Sequence, residues 1–302
     1  MATVREIERR IRSVKNIGQV TRALEAVSAS KVRRAQNAVI NTRPYTQEAW
    51  RVLTDLSRQA GAGPNLHPLL TNRPVRSIDL IVITSDRGLC GAFNYNVMRV
   101  ALDFVRRQSV PVSVISVGRK GRELLARAGQ KIVAEFSNLP ATPSILDVSP
   151  IGRTAIEDFL RGRADAVYVA YTDFINTLSQ KARIRPLLPL SMGTVQESIA
   201  HGAVGGMEPA RSAPYAYIYE PGVDAILDNL VPRFTELQVY QAILESLASE
   251  HSARMVAMRN ATDNATALVD AYILMRNKAR QSAITSELLD IAGGAEALKQ
   301  AA

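Results

Sequence analysis

From Arg233 to Ala292 the chain runs sixty residues without a proline or a glycine. A helix of that span is roughly 90 Å long, far more than one compact domain needs. Its apolar residues say what it needs instead. Leu237, Tyr240, Leu244, Leu247, Met258, Ala261, Ala265, Leu268, Tyr272, Met275 and Ala279 fall at alternating spacings of three and four, the repeat of a coiled-coil seam. The helix therefore requires a partner helix. His251 and Arg254 interrupt the seam with polar groups, which read as devices that set register.

The partner is expected at the N-terminus. Between Val4 and Thr42 there is no proline and only one glycine, Gly18, and Val4, Ile7, Ile11, Val14, Ile17, Val20, Leu24 and Val27 keep three-and-four spacing. The step Val14, Ile17, Val20 omits a four and reads as a stammer that locally changes the supercoil. From Met1 to Arg43 ten Lys and Arg stand against three Glu, so +7 of the chain's +9 lies on this helix. Pro44 is expected to end or kink it. Trp50, Leu53 and Leu56 allow it to resume as far as Gln59.

At 302 residues the chain can bury a sizeable core, and 47% apolar with 22% charged residues is ordinary for a globular protein. No apolar run reaches the eighteen or so residues of a membrane span, and no apolar signal region opens the sequence, so neither secretion nor a transmembrane segment is expected. Cys90 is the only cysteine, which excludes an internal disulfide and a cysteine-cluster zinc site. His67, His201 and His251 offer no metal-ligand spacing.

Gly61 to Pro74, with Pro64, Pro68 and Pro74, breaks both periodicities and marks a boundary. Beyond it short apolar runs alternate with helical ones. Strands are expected at Ile78–Thr84, Val110–Val117, Lys131–Phe136 and Asp165–Thr172, and helices at Asn96–Arg107, Lys120–Ala128 and Ile151–Arg161. This is the pattern of βαβ units and a mainly parallel sheet. Gln180–Pro189 and Tyr215–Glu220 read as further extended segments, with a mobile loop at His201–Pro214 between them. The expected fold is thus α/β: a long antiparallel coiled coil of N- and C-terminal helices with an inserted Rossmann-like domain. The divisions are residues 1–60, 75–220 and 223–302.

Two turns invite a functional reading. Ser85-Asp86-Arg87-Gly88-Leu89-Cys90-Gly91 follows a strand and precedes a helix, where backbone N–H groups can hold a phosphate. It is neither GxGxxG nor a Walker loop, and a tight structural turn with Arg87 in an ion pair is the favoured reading. Val117-Gly118-Arg119-Lys120-Gly121 is a second turn of this kind, with two cations for an anion. Cys90 reads as a packed small hydrophobe. No catalytic triad, HExxH or calcium loop stands out, so no catalytic residue, cofactor or metal is expected. Alone, the chain is expected neither to bind ATP tightly nor to hydrolyse it. A structural coiled-coil adaptor and a basic nucleic-acid-binding coiled coil share the two helices and stay open at this point.

The block Asn277-Lys278-Ala279-Arg280-Gln281-Ser282-Ala283-Ile284-Thr285-Ser286-Glu287-Leu288 resembles the terminal signature of the γ subunits of F-type ATP synthases. Ile17–Lys31 resembles that family's N-terminal coupling segment, and Thr84–Gly91 its Asp-Arg-Gly-Leu-Cys-Gly turn. Phe174–Thr177, Tyr219–Pro221 and Ala253–Met258 are further family-like blocks in the same order. Ala23–Ser28 departs from the methionines common in that segment, and a cysteine-bearing insert like that of the chloroplast subunit is absent from the sequence. The resemblance implies a non-catalytic shaft inside a ring of three α and three β subunits, with the α/β domain against the ε subunit and the c-subunit ring. It implies no nucleic acid, membrane contact only through the c ring, and a place at the cytoplasmic face of the bacterial cell membrane. On matching motifs it assigns Leu24, Arg254, Arg280, Gln281 and Thr285 to contact with β, and Tyr217, Tyr219 and Glu220 to contact with ε and the c ring.

Overall fold

The computed structural model describes residues 3–59, 67–190 and 222–300. Helix α1 spans Val4–Gln59, followed by a short 3-10 turn at Pro68–Leu70. Then come β1 (Ile78–Ile83), α2 (Phe93–Arg107), β2 (Val112–Val117), α3 (Arg119–Arg127), β3 (Ile132–Phe136), α4 (Ile145–Leu160), β4 (Ala166–Phe174), β5 (Gln180–Leu188) and α5 (Val223–Gln300). These residues form two compact units, one of Ser28–Arg254 and one that joins Met1–Val27 to Met255–Ala302. Tyr217, Tyr219 and Glu220, with the expected loop and strand around them, lie outside the described residues.

In the larger unit the strands stand in the order β3-β2-β1-β4-β5. β1 pairs in parallel with β2 and β4, β2 pairs in parallel with β3, and β5 closes the edge antiparallel to β4. The central strand is buried at every position, because successive side chains leave a strand on opposite faces and both faces here are covered. Leu80 and Val82 join Val97, Met98, Ala101 and Leu125 of α2 and α3. Ile81 and Ile83 join Ile151, Ala155 and Phe159 of α4 and Phe234, Leu237 and Ile243 of α5. α4 begins at Ile145, six residues before the expected start. Ser144 donates its backbone N–H to the Asp147 carboxylate at 2.8 Å, half of a capping box, and Pro150 removes one interior N–H without ending the helix.

Pro44 lies inside α1 and Pro232 inside α5. Each removes one ladder bond, at roughly 3 kcal/mol in an isolated helix. The expected end or kink at Pro44 does not stop α1, which runs on to Gln59, with Ala49 and Val52 packed on the sheet's core.

In the smaller unit α1 and α5 form an antiparallel pair. Gly18 faces Ala265, Thr21 faces Thr262 with hydroxyls 2.7 Å apart, and Glu25 accepts from Arg259 Nε at 2.9 Å. Numbers rise on one helix as they fall on the other. The seam corrects the sequence reading. Ile7, Ile11, Val14, Gly18 and Thr21 keep unbroken four-three spacing, so there is no stammer at Ile17 and Val20. Those two residues are 53% and 59% exposed. On α5 the buried set is Met258, Thr262, Ala265 and Val269, while the expected Leu268 and Met275 are 43% and 52% exposed. Apolarity chose the wrong neighbours because small residues let the backbones close in, and the two threonines satisfy each other's hydroxyls when buried.

Candidate functional site

Within the larger unit the carboxyl ends of β1, β2 and β3 carry the polar groups that the fold concentrates. Thr84, just past β1, receives the Gly121 N–H on its hydroxyl at 2.8 Å and donates to Val117 O at 2.8 Å, which ties the start of α3 to β1. Gly121 must be glycine for this approach, since a Cβ there would lie 2.5 Å from Thr84 Oγ1. Asp86 then holds two loops at once. Its carboxylate accepts from Arg119 N at 3.1 Å and from Asn138 N at 3.0 Å. The N-terminus of α3, expected as a possible anion site, is thus met by the chain's own carboxylate.

The Ser85–Gly91 turn is closed from inside. Ser85 N donates to Asn94 Oδ1 at 3.0 Å, Ser85 Oγ to Arg87 O at 2.6 Å, and Asn94 Nδ2 to Cys90 Sγ at 3.3 Å. Leu89 and Gly91 adopt positive φ, 62° and 57°. The structural reading of the turn holds, with one correction. Among the described residues Arg87 makes no ion pair and contributes its carbonyl oxygen instead. Burial pushes the Cys90 thiol up from its usual range, so it is a packed thiol and not a thiolate nucleophile.

What grips those carbonyls is Arg254, in α5. Its Nη2 donates to Arg87 O and to Gly88 O, each at 3.2 Å, and its Nη1 to Glu250 Oε1 at 2.8 Å. Both ends of the Arg254–Glu250 pair are nearly buried, 13% and 11% exposed. Desolvation raises the Glu250 pKa, and the Arg254 charge pulls it back. His251 stands beside them with Nδ1 3.3 Å from Arg254 Nη1. Burial first, then the Arg254 and Lys31 charges, lower its pKa to about 4, so the ring is neutral at pH 7. The sequence took His251 and Arg254 as register devices in a seam. Arg254 is instead the brace that fixes the β1–α2 turn to α5.

A further buried titratable group lies elsewhere on the sheet. Asp79 is the one charged residue of β1 and is buried, beside Asp158 of α4. Burial and the Asp158 carboxylate raise its pKa from 3.8 to about 7, while Arg163 pairs with Asp158. The sequence reading passed over Asp79, although an acid in an otherwise apolar strand is a visible anomaly.

Asp79 and His251 act on stability with opposite sign. Asp79 holds a proton that the unfolded chain releases above pH 3.8, so its contribution is lost as pH rises through about 7. His251 refuses a proton that the unfolded chain accepts below pH 6.5, so its contribution is lost as pH falls toward about 4. Asp79→Asn removes the first slope and leaves the second. Stability of the variant should fall with acidification below pH 6.5 by up to about 1.4 kcal/mol per pH unit more than wild type. Urea midpoints across this range measure it, and parallel curves for the two proteins would refute the assignment.

In the smaller unit Arg280 and Gln281 are exposed on α5, and every described residue from Gln281 to Gly293 is exposed as well. Thr285 is exposed and turns its hydroxyl back to Gln281 O at 2.9 Å. Leu24 is half-buried on α1. The structure therefore gathers Arg280, Gln281 and Thr285 on one helix segment, with Leu24 on α1 in the same unit and Arg254 in the other. No group of three or more metal-ligating side chains occurs among the described residues, and no helix among them is long and apolar enough to cross a membrane.

The family model described as ATP synthase matches residues 3–298. The chain is 47% identical over 298 residues to the ATP synthase gamma chain of Dehalococcoides mccartyi, covering 99% of this chain and 100% of that one. It is 47% identical over 309 residues to the ATP synthase gamma chain of Herpetosiphon aurantiacus, again across 99% of this chain and 100% of the relative. Among solved structures it resembles a chain of the OSCP/F1/c-ring assembly of Euglena gracilis mitochondrial ATP synthase in rotational state 3. That match has a TM-score of 0.65 at 21% identity, over 98% of this chain and 94% of the other.

Proposed function

The chain belongs to the ATP synthase γ-chain family, a non-catalytic subunit, and from that premise we propose how it works as the rotor of the enzyme. The paired helices of the smaller unit turn inside a ring of three α and three β subunits. The α/β domain bears on the ε subunit and the c ring, through Tyr217, Tyr219 and Glu220 among others. Contact with the membrane is through the c ring alone, at the cytoplasmic face of the bacterial cell membrane. The unrelated adaptor and the nucleic-acid-binding coiled coil are not favoured by the relatives. Energetically, one asymmetric shaft cannot meet three identical β subunits in the same way, so its contacts bias each toward a different state.

The observation that carries this reading is the end of α5. Ile284, Leu288, Leu289 and Ile291 are 49–67% exposed on a helix with no covering partner among the described residues, and such a surface asks for a protein sleeve. Arg280 and Gln281 point out from the same segment. A charge-assisted hydrogen bond from Arg280 to β, on the order of 1.5–3 kcal/mol, drives coupling only if it is made with one β state and broken in another. Thr285 lies within the same segment, while Leu24, beside the Glu25–Arg259 pair, would meet β at a separate level of the shaft. Arg254 would belong to the coupling segments within the larger unit, where it braces the β1–α2 turn.

Arg280→Ala with Gln281→Ala should leave folding intact, since no core volume is removed. ATP synthesis and hydrolysis by the assembled complex should fall about tenfold or more, the loss of one such bond. Turnover and assembly yield of the double variant measure it. Normal turnover in both directions would remove these residues from coupling, and reduced assembly with normal turnover per complex would make them structural.

A further inference from the structure

Residues 234–254 of α5 lie in the larger unit and are held on its sheet by two kinds of force. Phe234, Leu237, Val239 and Ile243 pack into the core, an attraction that is non-directional. Hydrogen bonds weaken steeply once donor and acceptor fall out of line, so they are what resists rotation of a helix about its own axis.

One set of such bonds joins α5 to α4. The Glu236 carboxylate accepts from Ser149 Oγ at 2.8 Å and from Arg153 Nε at 3.1 Å. The helices touch at this point, since a Cβ on Gly152 would lie 3.1 Å from Glu236 Cγ. Another set joins α5 to β4. β1 accompanies β4 only as far as Ala170, and at Thr172 the backbone is met by side chains of α5 instead. The Thr172 N–H donates to Ser246 Oγ, and the Thr172 carbonyl accepts from Ser249 Oγ, each at 3.2 Å. Thr172, Ser246 and Ser249 are all buried. Serines three apart share a helix face and here stand where a neighbouring strand would. Turning α5 about its axis would break both bonds and leave buried backbone groups unpaired. Ser252, one further step of three along the helix, is just as buried, yet its hydroxyl has no hydrogen-bond partner among the described residues.

We propose that Ser246 and Ser249 are positioning residues of the rotor: they key α5 to β4, so that torque passes between the α/β domain and the shaft helix with little angular play. Glu236 is a second key, roughly 15 Å away along the helix. The inference rests on the rotor reading and adds to it the groups that carry the torsional load inside the chain.

The test uses the complex of this chain with its α and β subunits, fixed to glass through the ring, with a bead attached to the α/β domain through Arg107→Cys. Cys90 is buried and should take no label. The angular spread of the bead at each catalytic dwell reports torsional stiffness, and only rotating complexes are scored, so lost folding or assembly does not enter it. Ser246→Ala with Ser249→Ala should broaden the spread, and the Thr172 amide of the same complex should exchange its hydrogen about fivefold faster. Ser252→Ala, which removes the same atom from the same helix, should leave the spread as it is. Ser249→Ala alone carries the comparison if the double variant does not assemble. An unchanged spread in rotating complexes, or equal broadening by Ser252→Ala, would overturn the proposal and leave the rotor reading standing. A wild-type chain that never turns within the ring under ATP would overturn both.

Discussion

Arg254→Met is expected to remove about 3–5 kcal/mol from the stability of the larger unit, and the loss should deepen as pH rises. Methionine keeps most of the volume, so the defect is electrostatic. Glu250 would remain buried without its counter-ion, and the carbonyls of Arg87 and Gly88 would lose their donor. Burial already raises the Glu250 pKa, and the Arg254 charge is the main force holding it down. Without that charge the folded-state value climbs further above the unfolded one. The folded variant then keeps a proton that the unfolded chain releases above the ordinary value of 4.5. Stability is retained at lower pH and lost as pH rises through the raised value. Adding Glu250→Gln should restore most of the loss and abolish its pH dependence. Denaturant midpoints at acid and alkaline pH decide the matter; an equal deficit at both, or no rescue by the second substitution, would refute the buried-pair account.

Gly118→Ala should be nearly as damaging, at roughly 3 kcal/mol or more. Gly118 follows β2 and caps α3 at φ 93° and ψ 143°, a region that side chains avoid. A Cβ there would stand 2.3 Å from the backbone oxygen of Thr84, which cannot retreat because β1 is paired on both sides. Gly129→Ala is the internal control. That residue also has positive φ, 67°, but open space around its Cβ, so only the conformational strain of about 1–2 kcal/mol applies. Comparable midpoints for the two variants would show that the approach to Thr84 is not what requires glycine at 118.

The alternation of helix and strand from Ile78 to Leu188 was legible because each element carries its own period in consecutive residues. The two long helices were legible from the absence of breakers. Their register was not. Thr262 and Ala261 are equally compatible with a three-four repeat, and the choice between them depends on how closely the helices approach, which Gly18 and Ala265 set across the pair. Arg254 announced itself as an anomaly in a seam, yet its partners lie 166 and 167 residues earlier and are backbone carbonyls, which no side-chain pattern marks. Asp86 was visible inside a family-like block, while its two N–H partners come from separate loops. The exposed candidates Arg280, Gln281 and Thr285 were found by resemblance alone, since a surface residue leaves no periodic trace.

The bare end of α5 also bears on the life of the chain before it reaches any complex. A helix whose last described turns bury nothing opens at little free-energy cost, and its leucines and isoleucines become handles for proteases and for other unfolded chains. A free copy should accordingly be short-lived in the cell, and its abundance should follow that of whatever covers the segment. Production in excess of that partner would end in degradation or inclusion bodies, so the stoichiometry of assembly is enforced by destroying the surplus.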